Sequence, residues 1–125
     1  MDQSNIVADT FGDVAGSLVG INIGIRHEAV LQNSSVISST TQGGLGRASN
    51  ITIAASSILV DNLSSISSSS VSAPGPAGNI TLTVGQLTVS GGGELQAEAT
   101  GTGRAGSITI NGTESVTVSD RKSVV

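Results

Sequence analysis

The only histidine of this 125-residue sequence, His27, lies between Arg26 and Glu28. An imidazole next to a carboxylate is a pairing that serves acid–base catalysis and metal binding. A metal site needs three or four ligands, however, and the sequence contains neither a second histidine nor a cysteine. We therefore interpret His27 as a surface residue.

Glu94 and Glu98 are the best candidates for a pair of carboxylates, the arrangement that glycoside hydrolysis requires. Because they lie at alternate positions of a predicted strand, they share one face. If Leu95 points inward, both glutamates point outward with Gln96, and we expect an exposed polar rim. β-Helix lyases and hydrolases cluster Asp, Lys or Arg on one face, whereas only five basic residues occur here, and three of them are widely separated. The sequence thus predicts no catalytic, cofactor-binding or metal-binding residues and no enzyme.

Two further patterns could bind a ligand. Calcium-binding solenoids repeat the motif Gly-Gly-x-Gly-x-Asp, but Gly91–Gly93 occurs once and is followed by Glu-Leu. Ice-binding solenoids present a flat double array of threonines. Thr52, Thr81 and Thr109 recur as a single rank, and Leu59 interrupts the neighbouring one. We interpret the threonines as a structural column.

The composition favours a β-protein over a disordered chain. Ser, Thr and Gly account for 50 of the 125 residues, yet 33 are Val, Ile or Leu and only 11% are charged. The aliphatic residues alternate in strings such as ITLTV, which is typical of strands. A net charge of −4 without a basic patch argues against nucleic-acid binding. No apolar run approaches the roughly 18 residues of a membrane-spanning helix.

A phrase recurs along the chain at a nearly constant spacing. Ala48 begins ASNITI, Ala77 begins AGNITL and Ala105 begins AGSITI, and the second interval is one position shorter than the first. A fainter copy begins at Ala15, at a somewhat longer interval before Ala48. Each phrase is followed by a second alternating pair and then by a third strand such as SISSSSV. Each unit therefore consists of three short strands and three bends.

A repeat of this kind predicts an all-β, right-handed parallel β-helix of about four coils, each of about 28 residues with three short strands. A meander of hairpins would leave unexplained why equivalent strands resemble each other. Stacked coils place like residues in columns, and we predict an interior that is aliphatic throughout. The predicted inward columns are Ile51/Ile80/Ile108, Ile53/Leu82/Ile110, Ile58/Leu87/Val116, Val60/Val89/Val118 and Ile66/Leu95.

Small residues mark the bend into the first strand of each unit. Gly78 and Gly106 stand at this bend, and we expect them to supply a positive φ angle that other residues avoid. Asn50 and Asn79 follow the small residue, with Ser107 in the third unit. These side chains either bond the neighbouring backbone or stack as a ladder from coil to coil.

The recurring phrase can be written as the pattern [GP]-x-A-G-[NS]-I-T-[IL], in which brackets enclose alternative residues and x is any residue. With the alternating strand and the Ser/Ala-rich strand that follow, it resembles the repeats of filamentous-haemagglutinin-like bacterial exoproteins of two-partner secretion systems. The resemblance covers residues 44–120 well and 15–43 loosely. It implies a right-handed parallel β-helix that acts as an adhesin or stalk outside the cell. It also implies an outer-membrane transporter for the parent protein, and a host surface, neighbouring-cell surface or carbohydrate as partner.

We therefore expect a structural or adhesive segment of such an exoprotein, without catalysis or cofactor. The predicted organisation is an amino-terminal segment or cap over residues 1–14, β-helix repeats over 15–120 and a tail over 121–125. The first residues do not form a signal peptide, and we expect the chain to be part of a longer protein. Because uncapped coils expose strand edges, we also expect end-to-end self-association. The alternatives are a fragment of a carbohydrate-active β-helix enzyme and a truncated, non-functional remnant.

Overall fold

The computed structural model describes residues 5–11, 20–42, 46–71 and 74–118. Within these residues all regular secondary structure consists of β-strands, and all strand pairings are parallel. The chain is a parallel β-solenoid of about three turns, which confirms the predicted fold class. The strands are β1 (Asn5–Phe11), β2 (Ile21–Gly24), β3 (Glu28–Leu31), β4 (Val36–Gln42), β5 (Ile51–Val60), β6 (Ser65–Val71), β7 (Ile80–Val89), β8 (Glu94–Ala99) and β9 (Ile108–Val118).

Two sheets form the walls of the solenoid. The first sheet has the order β1-β4-β6-β8, and the second has the order β2-β5-β7-β9 with β3 also paired to β5. The chain passes from one sheet to the other and back in every turn. Each sheet therefore contains four rungs that three complete turns connect. The prediction of about four coils matches the number of rungs, and the number of turns is smaller by one.

The three predicted strands of a unit are present, but the first two are halves of one bent strand in β5, β7 and β9. In the first rung they remain separate as β2 and β3. Inward residues alternate up to Ile53 and begin again at Ile58, with exposed or half-buried residues between them. The alternation changes phase because the strand bends there, so that both halves face the interior.

The register of the strands confirms the predicted columns. Ile51 pairs with Ile80 and Ile80 with Ile108, while Ile66 pairs with Leu95. The outward threonines Thr52, Thr81 and Thr109 are likewise in register. Parallel stacking in register brings like side chains into contact on successive rungs, which explains why equivalent strands resemble each other.

A β-bulge in β9 changes the length of the repeat within the last coil. Val84 pairs with Gly112, whereas Gln86 pairs with Ser115, so that two residues of β9 face the single residue Gly85. One additional residue in one strand is the defining feature of a bulge. Paired residues of β7 and β9 are therefore one position farther apart in sequence after the bulge than before it.

The described part of the first unit begins at residue 20. Ile21 pairs with Ile51, so the first repeat is shorter than the interval between Ala15 and Ala48 indicates. Ala15 itself lies outside the described residues. Residues 5–11, which belong to the predicted amino-terminal cap, form β1 and pair with β4. The predicted tail over residues 121–125 also lies outside the described residues.

The prediction of an aliphatic interior is wrong for the first sheet. Its inward positions begin with the buried column Ile37/Ile66/Leu95 but continue with hydroxyl residues. Buried polar groups need hydrogen-bond partners, and these hydroxyls find them in the backbone of the corners. The buried hydroxyl residues are Ser35, Ser39, Thr41, Ser49, Ser64, Ser68 and Ser70.

Candidate functional site

His27 lies at the exposed bend between β2 and β3, next to the exposed side chains of Arg26 and Glu28. Its backbone carbonyl accepts hydrogen bonds from the N–H groups of Ser56 (2.8 Å) and Ser57 (3.2 Å). The backbone here connects one rung to the next and holds the bend in place. Among the residues that the structure describes, no group of three or more His, Cys, Asp or Glu side chains could hold a metal ion.

The outward side of the first sheet is a regular polar surface, which we call the polar face. Glu94, Gln96 and Glu98 are half-buried side chains that alternate with the buried Leu95 and Ala97, as the sequence predicts. The register places a serine of β6 next to each of them. Oxygen and nitrogen groups thus recur at the spacing of neighbouring strands, about 4.8 Å. The residues of the polar face are Ser38, Thr40, Ser65, Ser67, Ser69, Glu94, Gln96 and Glu98.

The link from the first sheet to the second contains the recurring phrase, and we call it the phrase corner (residues 46–50, 76–79 and 104–107). A Cβ atom at Gly78 would lie 2.2 Å from the carbonyl oxygen of Ser49, and one at Gly106 would lie 1.9 Å from that of Gly78. Neither glycine has a positive φ angle. The expected reason for these glycines is therefore wrong: they permit close contact between coils.

A side-chain ladder connects successive phrase corners. The Oδ1 atom of Asn50 accepts a hydrogen bond of 2.8 Å from the N–H of Asn79. The Oδ1 atom of Asn79 in turn accepts bonds from the N–H (2.9 Å) and the hydroxyl (3.1 Å) of Ser107. The structure combines the two arrangements that the sequence left open, because the ladder from coil to coil is made largely by bonds to the backbone of the next coil.

Hydroxyl groups in the interior of the solenoid accept hydrogen bonds from the backbone of the phrase corner. The Oγ atom of Ser39 accepts a bond of 2.8 Å from the N–H of Ser49, and Ser68 does the same for Gly78. We call these side chains the inner hydroxyls. In the next rung the register places Ala97 beside Ser68, and alanine has no hydroxyl to offer. Sequence reasoning missed the inner hydroxyls, although strict alternation from Ile66 through SISSSSV points Ser68 and Ser70 inward.

The link from the second sheet to the first turns through two consecutive residues with positive φ, and we call it the left-handed corner. Its three copies are Asn33–Ser34, Asn62–Leu63 and Gly91–Gly92, with φ angles between 52° and 79°. Backbone bonds of 3.0 Å connect Ser34 to Asn62 and Leu63 to Gly91. The first two glycines of the triplet thus form the third copy of the left-handed corner.

An apolar cavity of about 310 Å³ lies at the first rung of the second sheet. Side chains of β2 and β3 line it together with Ile37 of β4 and Ile53 of β5. Ala29, Leu31, Ile37 and Ile53 are buried, and Ile23 and Ile25 are partly buried against the same core. The cavity therefore lies against the hydrophobic core at the first described rung of the second sheet.

No protein-family model, curated protein or solved structure matches the chain. Over the residues that the structure describes, no helix has the length and apolar character needed to cross a membrane. The geometry of the polar face and of the corners is accordingly the basis for a proposal about function.

Proposed function

We propose that this chain is a structural and adhesive segment of a secreted or surface-exposed exoprotein of the filamentous-haemagglutinin-like kind. The observation that carries the proposal is the register. Equivalent residues of successive coils are paired in both sheets, and the phrase corner recurs from coil to coil. Such a design extends by adding coils and changes little from one coil to the next. It suits a rod that holds something away from a cell.

The stiffness of the rod comes from three sets of contacts. Backbone hydrogen bonds between parallel strands run along the axis, and aliphatic columns fill the second sheet's side of the interior. The inner hydroxyls and the Asn50–Asn79–Ser107 ladder fix the corners. Because each coil is bonded to the next at both sheets and at both corners, bending the rod would break several bonds at once.

The polar face supplies the adhesive function in this proposal. Its hydroxyl, amide and carboxylate groups repeat at a fixed spacing and can bond several hydroxyl groups of a carbohydrate on a host or neighbouring cell. Single contacts of this kind are weak in water because they replace bonds to water. Many equal contacts along a rod bind through avidity, which a repeated face provides.

An adhesion assay tests this proposal. Beads coated with the chain should adhere to polysaccharide-coated surfaces or to cells, and a triple variant of the polar face (Ser67→Ala, Ser69→Ala, Gln96→Ala) should lose adhesion. The matched control removes three outward hydroxyls of the second sheet: Thr52→Ala, Thr81→Ala and Thr109→Ala. Equal adhesion of both variants, or no adhesion of the original chain above albumin-coated beads, would sink the adhesive role.

Location provides a separate test of the same proposal. An antibody against the chain should label intact cells of the organism that encodes it, or should detect the chain in the medium. The parent protein would reach this location through an outer-membrane transporter. Labelling that appears only after the cells are permeabilised would refute the extracellular assignment.

A further inference from the structure

A groove of about 460 Å³ lies on the outward side of the second sheet, where its strands bend. It crosses three rungs, because its lining comes from the bend after β2, from the bend of β5 and from β7. The middle strand, β5, is paired with β2 on one side and with β7 on the other. The groove is thus a feature of the sheet's outer surface. Its lining residues are Gly24, Ile25, Arg26, Ala54, Ala55, Ser56 and Thr83.

One outward column at this groove does not repeat the same residue type. Gly24, Ala54, Thr83 and Asn111 are paired in succession, and their side chains become larger from rung to rung. All four residues are exposed. The inward column through Ile51, by contrast, holds isoleucine in each of its rungs. The outward column therefore leaves the most room at Gly24.

The fold itself does not require a glycine at position 24. Gly24 has no positive φ angle, and a Cβ atom there would have nothing within 4 Å. At Gly78, by contrast, a Cβ atom would meet the backbone of Ser49. A glycine weakens a strand, and one reason for a strand to keep it is the close approach of a ligand. The open space above Gly24 is consistent with that reason.

Hydrogen bonds to β5 fix the backbone beside the groove. The N–H of Ile25 donates to the carbonyl oxygen of Ala54 at 2.8 Å. The hydroxyl of Ser56 donates to the carbonyl oxygen of Arg26, also at 2.8 Å. The side chain of Arg26 is exposed and lines the groove. Its guanidinium group thus extends from a bend that the next rung holds in place.

The positive charge of Arg26 is available to a ligand. Among the residues that the structure describes, no carboxylate forms an ion pair with its guanidinium group. Glu28, the nearest acidic residue in sequence, lines the apolar cavity of the first rung and does not line the groove. Glu114 lies farther along the same bend, beside Gly85. An anionic group is therefore favoured at the Gly24 end of the groove.

The groups that line the groove match a sugar residue that carries a carboxylate. A guanidinium group binds a carboxylate through two parallel hydrogen bonds. The hydroxyls of Ser56 and Thr83 can bond sugar hydroxyls, and the methyl groups of Ala54 and Ala55 can contact the C–H groups of the ring. The volume of the groove lies within the range of small-molecule sites.

We propose that this groove binds one acidic sugar residue, a uronate, with its carboxylate at Arg26 and its ring over Gly24 and Ala54. The site lies on the second sheet, apart from the polar face, and goes beyond the proposed structural and adhesive function. Because the groove is open and contains no aromatic side chain, a single uronate should bind weakly, with a Kd of about 1 mM or above.

An NMR titration of the full chain with galacturonate tests the site. Galacturonate should shift the amide resonances of Ala54 and Ser56 in a saturable way. Galactose lacks the carboxylate and should bind at least about tenfold more weakly. Acetate lacks the sugar ring and should likewise bind at least about tenfold more weakly than galacturonate.

A variant that fills the groove tests its shape. Gly24→Val should weaken the binding of galacturonate at least about tenfold, because the new side chain occupies the open space. Valine suits a strand, and its Cβ atom meets nothing at this position, so the fold should be kept. Asn22→Val is the matched control at an exposed position of β2 outside the groove, and it should bind like the original chain. Circular dichroism checks the strands of both variants.

A second pair of variants tests the charge. Arg26→Gln should abolish the preference for galacturonate over galactose, because the carboxylate loses its partner. Glu28→Gln removes a neighbouring charge that lines the other cavity, and it should change the affinity by less than about twofold.

Three results would overturn the site: no saturable shift with galacturonate, acetate that binds as well as galacturonate, or an equal loss in Gly24→Val and Asn22→Val. An unchanged preference in Arg26→Gln would overturn it as well. The triple variant of the polar face leaves the groove intact and should bind galacturonate like the original chain. The outcome is therefore independent of bead adhesion and cell labelling, and the proposed function stands or falls separately.

Discussion

The phrase corner and the left-handed corner turn the chain between the same two sheets, in opposite order. The phrase corner recurs in sequence, and it is held by close contact, by the inner hydroxyls and by the asparagine ladder. The left-handed corner has three unlike sequences, Asn-Ser, Asn-Leu and Gly-Gly, but one backbone conformation. The first corner repeats its residues, while the second repeats its φ angles.

The difference lies in what each corner demands of a side chain. At the phrase corner the coils approach so closely that a Cβ atom at Gly78 would meet backbone. At the left-handed corner the side chains of Ser34, Asn62 and Leu63 are exposed. Several residue types can occupy such a position at the cost of an unfavourable φ angle. A recurring sequence thus accompanies the close contact at Gly78, and a shared conformation alone does not require one.

The largest expected effect comes from adding one methyl group to the phrase corner. Gly78→Ala should lower the free energy of unfolding by about 2–4 kcal/mol, since the coils must separate to admit the Cβ atom. Urea denaturation followed by circular dichroism measures the change. Gly24→Ala is the matched control: a Cβ atom there has nothing within 4 Å, and Gly24 has no positive φ. A similar loss in both variants would show that close contact is not the cause.

An inner hydroxyl comes next in expected size. Ser68→Ala leaves the N–H of Gly78 without its acceptor in the interior, which should cost about 1–3 kcal/mol of unfolding free energy. Ser67→Ala removes a hydroxyl from the outward neighbour and should change stability by less than about 0.5 kcal/mol. Chemical denaturation compares the two. If they differ little, the corner does not depend on the inner hydroxyls.

Much of this fold could be predicted from the sequence because it rests on repetition. The columns through Ile51 and Ile53 were visible, since like residues recur where coils stack. The left-handed corner was visible only as a set of turn residues, because unlike side chains adopt one conformation there. The inner hydroxyls were missed because serine counts as polar in a pattern, and only the contact with the corner backbone explains why Ser68 is buried.

The candidate functional residues show the same difference between features that follow from the repeat and features that do not. The outward direction of Glu94 and Glu98 follows from alternation alone, and the structure agrees. The cavity beside β2 and β3 and the exposed Val116 have no signal in the sequence. A pattern that repeats does not show how well each copy of a column is covered, so these features could be found only in three dimensions.

The asparagine ladder should contribute less than the inner hydroxyls, because its groups are exposed to water. Asn79→Ala removes the acceptor of both Ser107 bonds and should lower the unfolding free energy by about 0.5–1.5 kcal/mol. Asn22→Ala, an exposed asparagine of β2, is the control and should have little effect. Thermal unfolding of the two variants side by side measures the difference. Equal melting temperatures would mean that water replaces the ladder without loss.

The smallest effect should have the opposite sign and lie in the left-handed corner. Leu63 combines a φ of 62° with a side chain that is 68% exposed, so its conformation is unfavourable and its burial is slight. Leu63→Gly should raise the unfolding free energy by about 0.5–1 kcal/mol, since glycine adopts this conformation without strain. Leu63→Ala removes the same exposed side chain but keeps the strain, and it should not stabilise the chain. If alanine stabilises as much as glycine, the gain comes from removing an exposed apolar group, and the corner carries no strain at Leu63. If neither variant is more stable, the rungs above and below favour the left-handed conformation enough to cancel its cost.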